Sequence, residues 1–305
     1  MQLQQLRYFV AVADTRHFTR AARESGVTQP SLSKQVHALE TEVGASLFTR
    51  ARGNVALTPA GEALLPHARR ILADADNARL EIAELVGLRG GRLRLGATPS
   101  LCTSLVAPVL RRYCDAYPGV RLHIEEGGSQ DLVALLGSGG LDVALIVLPS
   151  AGTDPALTAE PILRESLVVA RSAELTAERV LPLRALRDEP LIMFREGYDL
   201  REATLEACRG AGFEPAFALE GGEMDAVLAF VEAGIGVADV PSMVLSGRPR
   251  LHASVLDQPA LSRTIALAHR RDVTPTHAAR AWRGMLHAHL TEAKAWNLLP
   301  GVEIL

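Results

Sequence analysis

The residues whose types and spacing could do chemistry are gathered in Thr28-Gln29-Pro30-Ser31-Leu32-Ser33-Lys34-Gln35-Val36-His37-Ala38-Leu39-Glu40. Gln29, Ser33, Lys34 and His37 share one helical face and carry hydrogen-bonding side chains, with no acid before Glu40. That chemistry is recognition rather than catalysis, because such groups can meet base edges and phosphates in a DNA groove. Thr28, Pro30 and Ser31 at the start of the stretch join the candidate contact set, as does Thr19 just upstream.

The same stretch predicts the element that positions them. Leu32, Val36, Leu39 and Val43 recur at spacings of 4, 3 and 4, which buries one stripe of a helix. Upstream, Leu3, Leu6, Phe9, Val10 and Ala13 form a helical stripe that breaks at Asp14–His17. A second helix starts at Phe18-Thr19, with Thr19 as its N-cap and Ala21 and Ala22 small enough for close packing. Ser25-Gly26-Val27 is a tight turn, where glycine takes a left-handed backbone at little cost. Helix, glycine turn and helix make the helix-turn-helix plan, whose second member enters the major groove. Residues 44–58 then read as a β-hairpin wing around Arg52-Gly53-Asn54, with Arg50 and Arg52 as phosphate or minor-groove contacts.

These residues carry a resemblance. Phe18-Thr19-Arg20-Ala21-Ala22, Thr28-Gln29-Pro30-Ser31-Leu32-Ser33, Leu39-Glu40, Gly44, Leu47-Phe48, Arg50 and Leu57-Thr58-Pro59-Ala60-Gly61 together resemble the winged helix-turn-helix of LysR-type transcriptional regulators. The resemblance implies that Gln29, Pro30, Ser33 and Lys34 lie at groove-contacting positions. The family more often has arginine where Lys34 stands, and lysine cannot make the same rigid fork to guanine.

The 305-residue length predicts two or three domains, and 48% apolar content is ample for their cores. With only 4% aromatics, aliphatic packing must dominate. The net charge of −3 alone argues against nucleic acid, but the distribution matters more. Residues 1–60 hold seven bases and four acids, a basic head of +3 that leaves −6 for the remainder. Cys102, Cys114 and Cys208 are an odd number without a CxxC, so neither a disulfide framework nor a zinc site is expected. No apolar run reaches a membrane span, and the N-terminus has no signal-peptide pattern, so a cytoplasmic protein away from membranes is expected.

Thr58-Pro59 starts a long helix over residues 59–88. Leu64, Ala68, Ile71, Ala75, Ala78, Ile82 and Leu85 recur at 4, 3, 4, 3, 4, 3, a heptad seam on a helix about 40 Å long. A narrow stripe of that length needs a partner, either a second copy or the chain's own C-terminal domain. The resemblance implies an antiparallel pairing of two such helices in a dimer, and a homotetramer as the full assembly. Gly87, Gly90 and Gly91 mark a hinge.

From residue 91 short strands alternate with helices. Strands are expected at Arg92–Ala97, Val120–Glu125 and Leu141–Ile146, with helices at Leu101–Tyr117 and Gln130–Leu136, so a parallel sheet follows. A second unit has strands at Leu167–Ala170, Leu191–Phe194 and within Gly234–Pro241, and helices at Leu200–Arg209 and Glu223–Ala233. Strand Thr264–Ala268 and helix His277–Ala293 return to the first unit. The expected organisation is a winged helix-turn-helix over 1–58, a linker helix and hinge over 59–90, and a two-lobed α/β domain over 91–305. Lobe I takes 91–161 and 267–305, and lobe II takes 162–266. The two lobes resemble the periplasmic-binding-protein-like effector domain of the same family.

Such a fold binds small molecules between its lobes, at strand ends and helix starts. Thr98-Pro99-Ser100-Leu101 is the leading site, because N–H groups and two hydroxyls at a helix start favour an anion such as a carboxylate. Thr98 and Ser100 could equally be ordinary caps. The family's use of this turn for its effector favours binding. Gly128, Ser129, Val147, Phe194, Tyr198 and Met224 are further lining candidates, each also explicable as packing or surface loop. Asp239, an acid in an apolar strand, needs a partner: a cationic group of the effector is one option, and an internal arginine or a position at the strand's end is favoured over it.

No GxSxG, HExxH, P-loop or GxGxxG is present, so neither an enzyme nor a cofactor is expected. Peroxide-sensing members of the family carry a reactive cysteine in the segment resembling Glu196-Gly197-Tyr198-Asp199-Leu200-Arg201. This chain has Asp199 there, and Cys208 matches only the second, resolving position. Cys102 is expected to be a small buried residue. The expected partners are double-stranded promoter DNA, a small-molecule effector, a second copy of the chain and, downstream, RNA polymerase. The alternative is a cytosolic two-lobed solute-binding or enzymatic protein with an accessory helical head.

Overall fold

The computed structural model describes residues 1–51, 54–85, 91–149, 152–174, 179–257, 260–296, 299 and 301–305, in two units built on Met1–Arg89 and on Gly90–Ala134 with Asp142–Leu305.

The first unit begins with α1 (Leu3–Thr15), α2 (Phe18–Glu24) and α3 (Gln29–Val43). Their apolar residues recur every three or four positions and turn inward. Leu6, Phe9 and Val12 meet Ala21, Ala22, Leu32, Val36 and Leu39, all buried in one cluster. Val43, expected to end the α3 stripe, is 40% exposed, because α3 continues a turn past the core. Gly26 holds the turn between α2 and α3 at φ +68°, a left-handed backbone that favours glycine. Thr19 is not the cap of α2. His17 is, with its Nδ1 accepting from the Arg20 N–H at 3.4 Å, so Thr19 lies inside the first turn.

The hairpin of β1 (Phe48–Ala51) and β2 (Asn54–Leu57) follows, antiparallel as expected. Phe48 anchors it, with its ring centroid 5.4 Å from that of Phe9 and 5.6 Å from that of Phe18. Glu40 near the end of α3 accepts from the Leu47 N–H at 2.8 Å and so ties helix to wing. Next comes α4 (Pro59–Leu85), whose start explains Leu57-Thr58-Pro59-Ala60-Gly61 atom by atom. Thr58 Oγ1 accepts from the Gly61 N–H at 3.0 Å and donates to the Ser46 carbonyl at 2.6 Å. Pro59 needs no hydrogen-bond partner at the first helical position. A Cβ on Gly61 would stand 2.2 Å from the Leu47 carbonyl oxygen, so only glycine fits.

The heptad seam of α4 divides. Ala68 is buried in the cluster just described, with Leu64 and Ile71 packed against it. These three are satisfied by their own chain. Ala75 is half-buried, whereas Ala78 is exposed and Ile82 is 63% exposed. The Leu85 side chain lies outside the described residues, as do the expected hinge residues Gly87 and Gly90.

The second unit opens with β3 (Arg92–Ala97) and a helical run of α5 (Pro99–Leu101), a π-helical stretch at Cys102–Val106 and α6 (Ala107–Ala116). Then come β4 (Arg121–Glu126), α7 (Ser129–Gly137) and β5 (Val143–Val147). β3 pairs in parallel with both β4 and β5, as the alternation of strands and helices requires. The chain continues through β6 (Leu157–Ser172), β7 (Val180–Pro182), β8 (Leu191–Phe194), α8 (Asp199–Gly210), β9 (Phe217–Gly222) and α9 (Met224–Glu232). It ends with β10 (Ala238–Pro241), β11 (Leu251–Asp257), β12 (Ser262–Arg270), α10 (His277–Trp296) and β13 (Val302–Ile304).

The sixteen-residue β6 belongs to both lobes. Leu157–Ser166 pairs with β12, whereas Leu167–Ser172 pairs with β10 and β11. The pairing therefore switches at Ser166/Leu167 and returns at Ser262, four to five residues from the expected boundaries at 162 and 266. The lobe I core gathers Leu93, Leu95, Leu145 and Ile265 around Tyr113 and Trp282. Lobe II is centred on Ile192, Phe194, Val227, Leu228 and Val240. β7, β9, β11 and β13 had no counterpart among the expected strands. The exposed residues of β9 and the three-residue lengths of β7 and β13 give little periodic signal.

Candidate functional site

The first unit places the polar face of α3 at the surface. Thr28, Pro30, Ser31, Lys34 and His37 are exposed, and Gln29 and Ser33 are half-buried at the edge of the core. Thr28 caps the helix through its backbone alone, because its side chain makes no cap hydrogen bond. His37 Nδ1 lies 3.5 Å from Glu40 Oε2. Thr19 is exposed on α2, as are Arg20 and Arg23, two cations that the periodicity argument did not single out. The Arg50 side chain and all of Arg52 lie outside the described residues. The N–H groups of the first turn of α3, one fewer than usual because Pro30 has none, and an exposed hydrogen-bonding edge are what a groove reader presents.

In the second unit a cleft opens between the lobes. Of the expected residues, Thr98, Pro99, Gly128 and Tyr198 line it. Gly127, Asp199, Leu200 and Arg263 line it as well and were not expected. The space is tight, a cavity of about 10 Å³, which is room for roughly one water.

Thr98 and Ser100 are not simple caps. The Thr98 side chain makes no cap hydrogen bond and instead faces Ser100 Oγ at 3.4 Å. Ser100 Oγ accepts from Arg263 Nη2 at 3.0 Å. Arg263 also donates to Glu165 Oε2, through Nε at 2.9 Å and Nη2 at 2.7 Å. The other oxygen of Glu165 accepts from the Met243 N–H at 2.8 Å. Both charges are buried, so each depends on the other. Strand β6 supplies Glu165 and β12 supplies Arg263, so the pair ties the crossing strands beneath the cleft.

Ser129 and Val147 join a second group. Ser129 Oγ donates to Asp199 Oδ2 at 2.6 Å and accepts from the Val147 N–H at 3.0 Å. The Ser129 N–H reaches the same Asp199 oxygen at 3.3 Å. The carboxylate at the start of α8 in lobe II thus sits at the N-terminus of α7 in lobe I, where a helix favours an anion. Tyr198, the residue before it, stacks on Phe194 with centroids 4.8 Å apart. Its hydroxyl is buried with no partner among the described residues, and burial pushes its pKa above the usual phenol range. Leu101, Phe194 and Met224 are core residues that support the cleft without lining it.

Asp239 is buried in β10. Thr204, not an arginine, donates to its Oδ2 at 3.0 Å, and Oδ1 has no partner among the described residues. Burial pushes its pKa up to about 7 although the Thr204 hydrogen bond pulls the other way. Cys102 is half-buried rather than fully buried, and burial, with Glu126 adding to it, raises its pKa to about 12. Cys208 is buried, and its pKa rises to about 11 by burial and then by the nearby Asp239. Both thiols stay protonated and poorly nucleophilic at neutral pH. Among the described residues no three or more His, Cys, Asp or Glu side chains are grouped to hold a metal ion. No described helix is long and apolar enough to cross a membrane.

Residues 3–62 match the family model of the bacterial regulatory helix-turn-helix protein, lysR family, and residues 87–291 match that of the LysR substrate binding domain. The HTH-type transcriptional regulator BudR of Raoultella terrigena is 36% identical over 277 residues, covering 89% of this chain and 95% of that protein. A probable hydrogen peroxide-inducible genes activator of Mycobacterium avium is 34% identical, covering 92% of each. Among solved structures, a cysteine-to-aspartate variant of full-length OxyR from Pseudomonas aeruginosa superposes with a TM-score of 0.72 at 28% identity, covering 95% of this chain and 94% of that one.

Proposed function

The chain belongs to the LysR family of DNA-binding transcriptional regulators with an effector-binding domain, and from that premise we propose how its own residues divide the work. Membership sets aside the alternative of a solute-binding or enzymatic protein with an accessory head, since the relatives are regulators. The exposed edge of α3 reads one half-site of promoter DNA. Gln29, Pro30, Ser31 and Ser33 approach base edges, and Thr19, Thr28, Lys34, His37, Arg50 and Arg52 hold the register through phosphates. The observation that carries this reading is the helix itself: Leu32, Val36 and Leu39 fix its back in the core while its polar edge stays at the surface.

The exposed end of the α4 seam, Ala78 and Ile82, pairs two chains and so sets two heads on one operator. Pairing matters because a head of only +3 binds phosphate weakly, and a linked second head raises the effective concentration of the first. The dimers assemble further into a tetramer in the cytoplasm. A small effector binds between the lobes at the Thr98–Leu101 turn, and it acts by favouring one lobe arrangement over another.

Gel shifts with the region upstream of its own gene test the DNA assignment. Gln29→Ala lowers affinity for the specific site by about 1–3 kcal/mol and leaves random DNA almost unchanged. Equal losses on both DNAs would remove base reading from α3.

A further inference from the structure

The cleft holds a bond that any effector must reckon with. Asp199 of lobe II is bound at 2.6 Å to the hydroxyl of Ser129 in lobe I, and the remaining space admits roughly one water. A ligand larger than water enters only by parting groups that now touch. The Asp199–Ser129 bond is the polar contact across the opening, and a ligand can replace it from either side. An anion would take the donors of Ser129, and a cation would take the carboxylate of Asp199.

The surrounding charges decide between them. Around Tyr198 stand two cations, Arg263 and Arg195, the latter with its guanidinium 5.9 Å from the ring centroid, and three acids, Glu126, Asp199 and Glu223. Arg263 is already matched to the buried Glu165, and Glu223 is matched to Arg195 at 2.7 Å. Among the described residues neither Asp199, which lines the cleft, nor Glu126, exposed beyond its rim, has an ion pair, so the charge of the cleft left without a countercharge is the Asp199 carboxylate. An anion at Ser129 would leave the Asp199 carboxylate displaced beside it, which like-charge repulsion opposes. A cation would give Asp199 a stronger partner than a serine hydroxyl. A second observation points to a ligand. Tyr198 is 4% exposed and lines the cleft, yet its hydroxyl has no partner among the described residues. Such a group awaits a donor or acceptor from elsewhere.

We propose that the effector is a small amine with a second hydrogen-bonding group: its ammonium takes the Asp199 carboxylate from Ser129, its second group meets the Tyr198 hydroxyl, and the lobes are released from each other. This rests on the cleft being the effector site, and it replaces the anion that the Thr98 turn alone suggests.

Matched probes of opposite charge test it on the full chain. Ethanolamine and glycolate are titrated at constant ionic strength, with binding followed by calorimetry and thermal shift. Ethanolamine binds and glycolate does not. Asp199→Asn weakens ethanolamine by about tenfold or more, the loss of a charged partner. Ser129→Ala does the opposite, tightening ethanolamine several-fold because the carboxylate no longer has a competitor to displace. Thr98→Phe, which fills the cleft, abolishes binding. Ethanolamine binding that persists in Asp199→Asn overturns the proposal, as does the absence of ethanolamine binding. Glycolate binding that Thr98→Phe removes keeps the cleft as the effector site and overturns the cation. Ethanolamine binding that survives Thr98→Phe removes the cleft itself from effector recognition.

Discussion

The α3 edge and the lobe cleft are both polar, but they treat their polar groups in opposite ways. On α3 the side chains of Thr28, Ser31, Lys34 and His37 stand at the surface, on a helix whose back is fully packed. In the cleft the polar groups, the Tyr198 hydroxyl apart, are bound to one another: Asp199 to Ser129, Arg263 to Glu165 and Ser100. The first surface is finished before its partner arrives. The second has its charged groups already bonded, and a partner must exchange with one of them. A reader of fixed DNA benefits from rigidity, whereas a sensor needs an element whose equilibrium a ligand can shift.

If that contrast is right, truncations should hit stability hard in the cleft and hardly at all on the α3 edge. The largest effect is expected at Glu165→Ala. It leaves the Arg263 guanidinium buried without its carboxylate and costs about 3–5 kcal/mol by urea unfolding. Replacing both partners at once, as Glu165→Gln with Arg263→Gln, recovers part of the loss; an unchanged midpoint in Glu165→Ala would mean the pair is not buried as described.

Asp239 gives a smaller effect with a definite sign. Its folded value near 7 lies above the ordinary carboxyl value of 3.8, so the folded chain takes up a proton between them. Stability from this group therefore falls as pH rises through that window and levels off once Asp239 is ionised. Asp239→Asn flattens this component, and the variant gains on the wild type between about pH 4 and about pH 7. Parallel unfolding curves for the two proteins across that range would place Asp239 in water. Smallest of all, Lys34→Ala on the α3 edge changes the unfolding midpoint by no more than about 0.5 kcal/mol while weakening DNA binding. A large loss of stability there would break the contrast.

The head was readable from its sequence because its determinants are local. Thr28, Pro30 and the 4, 3, 4 stripe predict α3, and Gly26 and Gly44 stand where left-handed turns require them. The Thr19 cap failed for an equally local reason: a histidine ring nitrogen does what a threonine hydroxyl more often does. Val43 failed because periodicity continues past the point where the core stops. In the body, Thr98, Gly128, Ser129 and Tyr198 could be placed near one cleft by topology and resemblance. Arg263 and Glu165 could not, because they meet across 98 residues of chain and neither belongs to a motif. A charged residue within an otherwise apolar strand was the available signal, and it was followed for Asp239 alone. Asp199 was noticed as a departure from a cysteine, but its partner Ser129 is 70 residues away.

Strand β6 carries a mechanical consequence. One continuous backbone bonds to β12 before Ser166 and to β10 and β11 after Leu167, so neither lobe can slide without dragging the same strand. Translation between the lobes is locked out by the ladders on either side. What remains is twist about that strand, concentrated where the Ser166 N–H is held by the Gly301 carbonyl and the Leu167 N–H by the Leu261 carbonyl. The crossing strand works as a torsion bar, and it would turn the parting of Asp199 from Ser129 into rotation.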